Sequence, residues 1–197
     1  MADLSRAVQE YLELVRQCLQ EVEQQDLASV VQLLYQAYAR GASVYVMGNG
    51  GSASTASHMT AHLQEGIDGR GTGGLRAICL SDNVPRLTAL ANDVAYDEVF
   101  ALQLNGLLRP EDLVVLISGS GNSPNLVKAA QIAKDTGTGV IAFTGFGGGR
   151  VHHMADCGVV LSCRQYGPVE DVHLTLGHLI PQLLRRKIQD AEASRVS

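Results

Sequence analysis

Apolar residues return every three or four positions near the start of the chain: Leu4, Val8, Tyr11, Leu12, Val15, Cys18, Leu19 and Val22. That period predicts an amphipathic helix. A second stripe, Leu27, Val30, Val31, Leu34, Tyr35 and Tyr38, follows Asp26, whose side chain suits a helix N-cap. Two helices, or one bent helix, therefore precede the first strand. Their apolar stripe needs cover, from the rest of the domain or from a neighbouring subunit.

Beyond Ala42 the period changes. Short apolar runs at 43–48, 75–80, 113–118, 139–144 and 157–162 read as buried strands. Helical stretches separate them at Ser52 to Gln64, Ala95 to Asn105, Pro124 to Asp135 and Arg150 to Met154. Strands alternating with helices predict an α/β fold, a parallel sheet covered on both faces. In such sheets ligands bind beyond the carboxyl ends of the strands, where the strand order switches. Val169 to Glu192 forms a last long helix with Pro181 inside it, a place for a bend or a break. Ala191 to Ser197 is expected to fray.

Composition narrows the class. The 197 residues carry 15 Lys and Arg against 20 Asp and Glu, a formal charge of -5, and are 46% hydrophobic. A disordered chain is excluded. The longest basic tract is Arg185, Arg186, Lys187, which argues against a nucleic-acid groove. No apolar run is long enough for a membrane span, and Met1 to Glu10 has no secretory pattern. Cys18, Cys79, Cys157 and Cys163 form no CxxC pair and are expected as free thiols in a cytoplasmic protein.

Glycine is enriched, 21 residues against the usual ~7%, and clustered at 48–51, 71–74, 119–121 and 145–149. Two clusters follow strands and open helices. Asn49, Gly50, Gly51 and Ser52 present backbone amides and polar side chains at a helix N-terminus. Ser118, Gly119, Ser120, Gly121, Asn122 and Ser123 bring hydroxyls and amides together without lysine or arginine, a cradle suited to a phosphate monoester. Neither loop has a dinucleotide or Walker pattern, so no nucleotide cofactor is expected. The plainer alternative is a pair of βα turns, with Ser123 as N-cap and Pro124 at the first helical position.

The histidines add a second chemistry. His58 and His62 share a helix face, with Glu65 close to it. His173 and His178 lie on the last helix, one turn and more beyond Glu170 and Asp171. Glu170 and His178 are offset by about 80° around a regular helix. Imidazoles with a carboxylate suit zinc, but an HxxxH pair also occurs on plain helix surfaces. His152 and His153 are read as surface or ligand-loop residues at the start of a short helix.

GNGGSAS at 48–54, His58, LANDVAYDEVF at 90–100 and SGSGNSPNLVKAA at 118–130 together resemble the SIS (sugar isomerase) domain family, in its phosphoheptose isomerase subgroup. The DnaA initiator-associating protein, a non-enzymatic relative, looks similar. The resemblance implies a three-layer sandwich with a five-stranded parallel sheet over residues 41–197 and an N-terminal helical oligomerisation arm over 1–40. It implies a homotetramer with active sites between subunits. It implies sugar-phosphate contacts from Asn49, Gly50, Gly51, Ser52, Ser118, Gly119, Ser120 and Ser123, with Asp93 in the cleft. The family's His-x-x-x-Glu reads His58 to His62 here, and its glutamine on the last helix is Glu170. The matching zinc set is His58, His62, Glu170 and His178. The implied reaction interconverts sedoheptulose 7-phosphate and its aldose through an enediol, with His178, Glu170 and His62 as candidates for proton transfer. The alternatives are isomerisation of another sugar phosphate, or a regulatory tetramer without turnover.

Overall fold

The five apolar runs become five parallel strands in the order β2-β1-β3-β4-β5: β1 Ser43–Gly48, β2 Arg76–Cys79, β3 Leu113–Ser118, β4 Gly139–Thr144 and β5 Cys157–Val160. The computed structural model describes the backbone of residues 2–66 and 73–196 and the side chains of 4–66 and 73–194, so part of the expected glycine turn at 71–74 lies outside the described residues. The helices are α1 Ala2–Gln20, α2 Gln24–Arg40, α3 Gly51–Gln64, α4 Val84–Asp93, α5 Ala101–Leu104, α6 Pro124–Thr136, α7 Gly149–Met154 and α8 Tyr166–Val196.

The strands read as continuous apolar runs because both sheet faces are covered. Val44, Val46, Val115, Ile117, Ile141 and Phe143 point into one core with residues of α2, α3 and α8. Their alternates Tyr45, Met47, Val114, Leu116, Val140 and Ala142 enter a second core with residues of α5, α6 and α7. This is the three-layer α/β sandwich. Val30, Val31, Leu34 and Ala37 of α2 belong to the first core, whereas Leu4, Val8, Leu12 and Leu19 of α1 stay exposed.

The order of strands places the switch between β1 and β3. The chain leaves β1 toward β2 on one side, and continues from β3 toward β4 and β5 on the other. Gly48 pairs with Ile117 at the carboxyl ends of these strands, so the loops that follow them open side by side.

Several local expectations need correction. The N-terminal stripe is two helices, but Asp26 lies in the first turn of α2 and the N-cap is Glu23, which makes no side-chain capping bond. The helix expected at 95–105 is instead a 3-10 turn at Tyr96–Glu98, with Ala95 extended as its N-cap, followed by the short α5, which ends at the non-helical Asn105. A helix absent from the expectation, α4, starts where Asn83 accepts a capping bond from the Arg86 amide, 3.1 Å, with proline in the first turn. His152 and His153 close α7 rather than open it. α8 runs through Pro181 and on to Val196, so the expected fraying from residue 191 is not seen over the described residues. Proline has no N–H for the Gly177 carbonyl one turn back. Burial of Val172, Leu176, Ile180, Leu184 and Ile188 along the same face keeps the helix continuous across the gap.

Candidate active site

A cleft of about 250 Å³ lies between the two strand-end loops, walled by Asn49, Gly50, Gly51, Ser52, Ser118, Gly119, Ser120, Ser123, Tyr166 and Glu170, among others. Its polar groups are neutral donors plus one carboxylate. Ser118 is buried and its hydroxyl oxygen accepts from the Gly121 amide, 3.0 Å, which leaves its own proton to donate into the cleft. Ser123 caps α6 by backbone conformation alone, with no side-chain capping bond, so its hydroxyl is unspent. Gly121, at φ 64, lies so close to the Gly148 carbonyl that a Cβ there would sit 1.9 Å from it. The loop is thus braced from behind by residues 145–149.

The first loop is held by amides. Asn49 and Asn125 exchange two side-chain hydrogen bonds, each 2.9 Å, and the Tyr96 hydroxyl donates to the same Asn49 oxygen at 2.9 Å. Asn125 is buried, and its oxygen also accepts from the Leu126 amide. This lock ties the end of β1 to the start of α6, the two sides of the switch point. The sequence reading did not single out Tyr96, Asn125 or Tyr166. A polar residue directly after the Ser123–Pro124 cap was the available signal for Asn125.

The histidines meet elsewhere, along the seam between α3 and α8. The two helices run parallel: His58 meets His178 and Glu65 meets Arg185, both at a separation of 120 residues. At the head of the seam a Cβ on Gly51 would strike the Glu170 carboxylate at 2.2 Å. The glycine therefore makes room for that carboxylate at the N-terminus of α3, where the helix dipole favours it. Farther along, His58 Nε2 lies 2.7 Å from His178 Nε2 and 3.1 Å from His62 Nε2. The ligand atoms of these three histidines all fall within 4.8 Å of one another.

Glu170 is not in that group. Eight residues of continuous helix separate it from His178, a rise of about 12 Å. Of the four expected ligands, the three histidines come together and Glu170 lines the cleft. Asp93 is exposed at the last residue of α4, takes a bond from Asn92 at 2.8 Å, and does not line the cleft. His173 is buried beside Phe143, turned away from the cluster.

The three histidines fit zinc. Neutral imidazoles are suitable donors, and tetrahedral ligands at zinc distances stand about 3.3 Å apart, so the 2.7 Å pair needs to open by about 0.6 Å and the 3.1 Å pair by about 0.2 Å. His58 and His178 are exposed, which leaves a fourth position open. Desolvation, then the neighbouring rings of His62 and His178, hold His58 below the ordinary histidine range, with Glu65 opposing. The neutral, ligating form is thereby favoured. Glu65 is itself held below the usual carboxylate range, chiefly by its hydrogen bond with His62.

The SIS domain family model matches residues 10–145. The phosphoheptose isomerase of Geotalea daltonii is 37% identical over 162 residues, covering 82% of this chain and 84% of its own. That of Helicobacter pylori is 36% identical over 163 residues, covering 83% of this chain and 84% of its own. Among solved structures, phosphoheptose isomerase from Neisseria gonorrhoeae superposes with a TM-score of 0.83 at 27% identity, over 93% of this chain and 97% of that one.

Proposed function

The chain belongs to the SIS domain family, beside its phosphoheptose isomerases, and we propose that it isomerises sedoheptulose 7-phosphate to the corresponding aldoheptose phosphate. One observation carries the reading. Two strand-end loops at the switch point converge neutral donors on a single cleft, and a carboxylate stands at its edge, at the head of a seam that leads to a histidine cluster.

The phosphate lies between the loops, taken by the hydroxyls of Ser52, Ser118, Ser120 and Ser123 and by amides of Gly50, Gly51 and Gly119. Hydrogen bonds to a doubly charged group are the strong kind. They act far from the reacting carbons and serve to position them. The sugar chain then follows α3 and α8. Glu170 and His178 are the proton-transfer pair. One takes the proton from C1 of the ketose, the carbonyl at C2 becomes an enediol oxygen, and a proton returned at C2 gives the aldose. His62 belongs with the cluster rather than with proton transfer. Zinc held by His58, His62 and His178 would polarise the substrate carbonyl; His178, committed to the cluster through Nε2, then has only its Nδ1–H to donate, so Glu170 is the base of the pair and His178 the acid.

The exposed stripe Leu4, Val8, Leu12 and Leu19 supports assembly through α1, and a homotetramer is the proposed form, to be checked by light scattering. No helix among the described residues is long and apolar enough to cross a membrane. The free cysteines fit the proposed cytoplasmic setting.

The test is incubation of the metal-defined protein with sedoheptulose 7-phosphate in D₂O, followed by NMR. Aldoheptose phosphate carrying deuterium at C2 is expected. Folded, metal-replete protein that gives neither product nor exchange overturns the assignment. A second reading, the same chemistry on another sugar phosphate, is favoured by histidine at position 62; exchange into a different sugar phosphate under the same conditions identifies it.

A further inference from the structure

His62 has two ring nitrogens, and both are engaged. Nε2 faces His58 Nε2 at 3.1 Å. Nδ1 lies 3.1 Å from Glu65 Oε1. The other carboxylate oxygen of Glu65 accepts from Arg185 Nη1 at 2.9 Å. A line of contacts therefore runs from an arginine on α8, through a carboxylate just past the end of α3, to the back of a ring whose front joins the histidine cluster.

The placement of Glu65 is unfavourable on its own terms. It follows the last residue of α3, where the carbonyl end of the helix repels a carboxylate. Arg185 compensates for that repulsion and gives the side chain a fixed partner. All three side chains are partly exposed, at 26% for His62, 38% for Glu65 and 24% for Arg185. Packing alone does not immobilise such a ring, so its hydrogen bonds decide how it points.

An imidazole that binds a metal through Nε2 carries its hydrogen on Nδ1, and a carboxylate at Nδ1 selects that tautomer, fixes the ring plane and raises ligand basicity. We propose that Glu65, anchored by Arg185, is a positioning residue that locks His62 as the Nδ1–H tautomer and aims its Nε2 into the three-histidine cluster. The inference rests on the reading of that cluster as a zinc site. It assigns to this chain an outer carboxylate three residues beyond His62, on the helix position where the ring's back face needs it.

The test uses the full chain stripped of metal, titrated with zinc against a competing chelator, and separately with cobalt to record the visible band of a tetrahedral site. Wild type is expected to bind one ion per chain. Glu65→Ala is expected to weaken zinc 10- to 100-fold and to lower the cobalt band, the range typical for loss of such an outer partner. Glu65→Gln retains an oxygen for the Nδ1–H and should recover part of the affinity. Arg185→Ala should weaken zinc in the same direction and by less. Thermal melting of each variant reports folding, and the glutamine and arginine variants carry the test where Glu65→Ala fails to fold. Wild-type zinc affinity in all three variants, with binding abolished by His58→Ala, overturns the positioning role and leaves the metal site standing. No zinc binding by wild type itself overturns both.

Discussion

The cleft and the histidine cluster are built by different means. The cleft is made of two loops, each only a few residues long, whose shape follows from glycines, serines and a helix start. The cluster is made by two helices far apart in sequence that lie side by side, each contributing rings from one flank. Changing a cleft residue alters only the few hydrogen bonds it makes itself. Shifting either helix along the seam would dissolve the cluster without altering any of its residues. The cleft thus rests on local backbone chemistry, and the histidine cluster on tertiary packing.

The sharpest attempt to separate the two is His178→Ala. It should lower kcat by about 10²- to 10⁴-fold, the usual worth of a positioned acid or base. Competitive inhibition by inorganic phosphate should stay unchanged in the same assay. A parallel loss of phosphate inhibition would show that the regions are not separate.

Acid should act on the seam through a residue outside both regions. Both ring nitrogens of buried His173 lack a well-placed hydrogen-bond partner. Burial pushes its pKa down to about 4, with the Thr144 backbone opposing in part. The unfolded chain, near 6.5, binds the proton more readily, so stability falls as pH drops from about 6.5 to about 4 and levels off below. The contribution is about 3 kcal/mol over that window. Urea midpoints at pH 7 and pH 4.5 should show it, and His173→Leu should flatten it. An unchanged pH slope in that variant would assign acid lability to other groups.

Ser123→Ala tests the cleft alone. Its hydroxyl has no capping duty, so folding should be unaffected. A hydrogen bond to a charged group contributes about 1.5–3 kcal/mol, so kcat/KM should fall by roughly 10- to 100-fold. Zinc stoichiometry should be that of wild type.

The smallest effect is expected from Gly177→Ala, at the middle of the seam. A Cβ there meets Met59 and Thr55 at 3.7 and 3.8 Å, ordinary contact distances. Alanine in a helix interior should add about 0.5–1 kcal/mol and raise Tm by a few degrees. A lowered Tm would mean that α3 and α8 are already as close as their backbones allow.

What could be read beforehand follows the same division. The strand runs and both loops were legible because their determinants are neighbours in the chain: Gly48 to Ser52 after one apolar run, Ser118 to Pro124 after another. His58 and His62 were legible as a pair because four residues span one helical turn. Their meeting with His178 depends on which flank of α8 faces α3, and no periodicity carries that. Glu170 was grouped with the metal through the family resemblance alone; it lies eight residues before His178 on one continuous helix and lines the cleft. Between 83 and 105 local signals competed. Asn83 with Pro85 marked a helix start that was passed over, and apolar spacing after Ala95 implied one helix where the backbone forms a 3-10 turn and the four-residue α5.

Parallel alignment of α3 and α8 turns the site into a measuring rod. Gly51 faces Glu170 at one end of the two helices, and the imidazoles lie farther along them, where His58 faces His178. The rise of an α-helix is nearly constant, so small movements of loops do not change the spacing of Glu170 and the imidazoles along α8. If the proposed function holds, a sugar phosphate with fewer carbons, held by the same serines, is expected to stop short of the rings. Chain length would then be selected by the spacing of residues along a helix, and a change of preferred sugar would come from moving a histidine by whole helical turns.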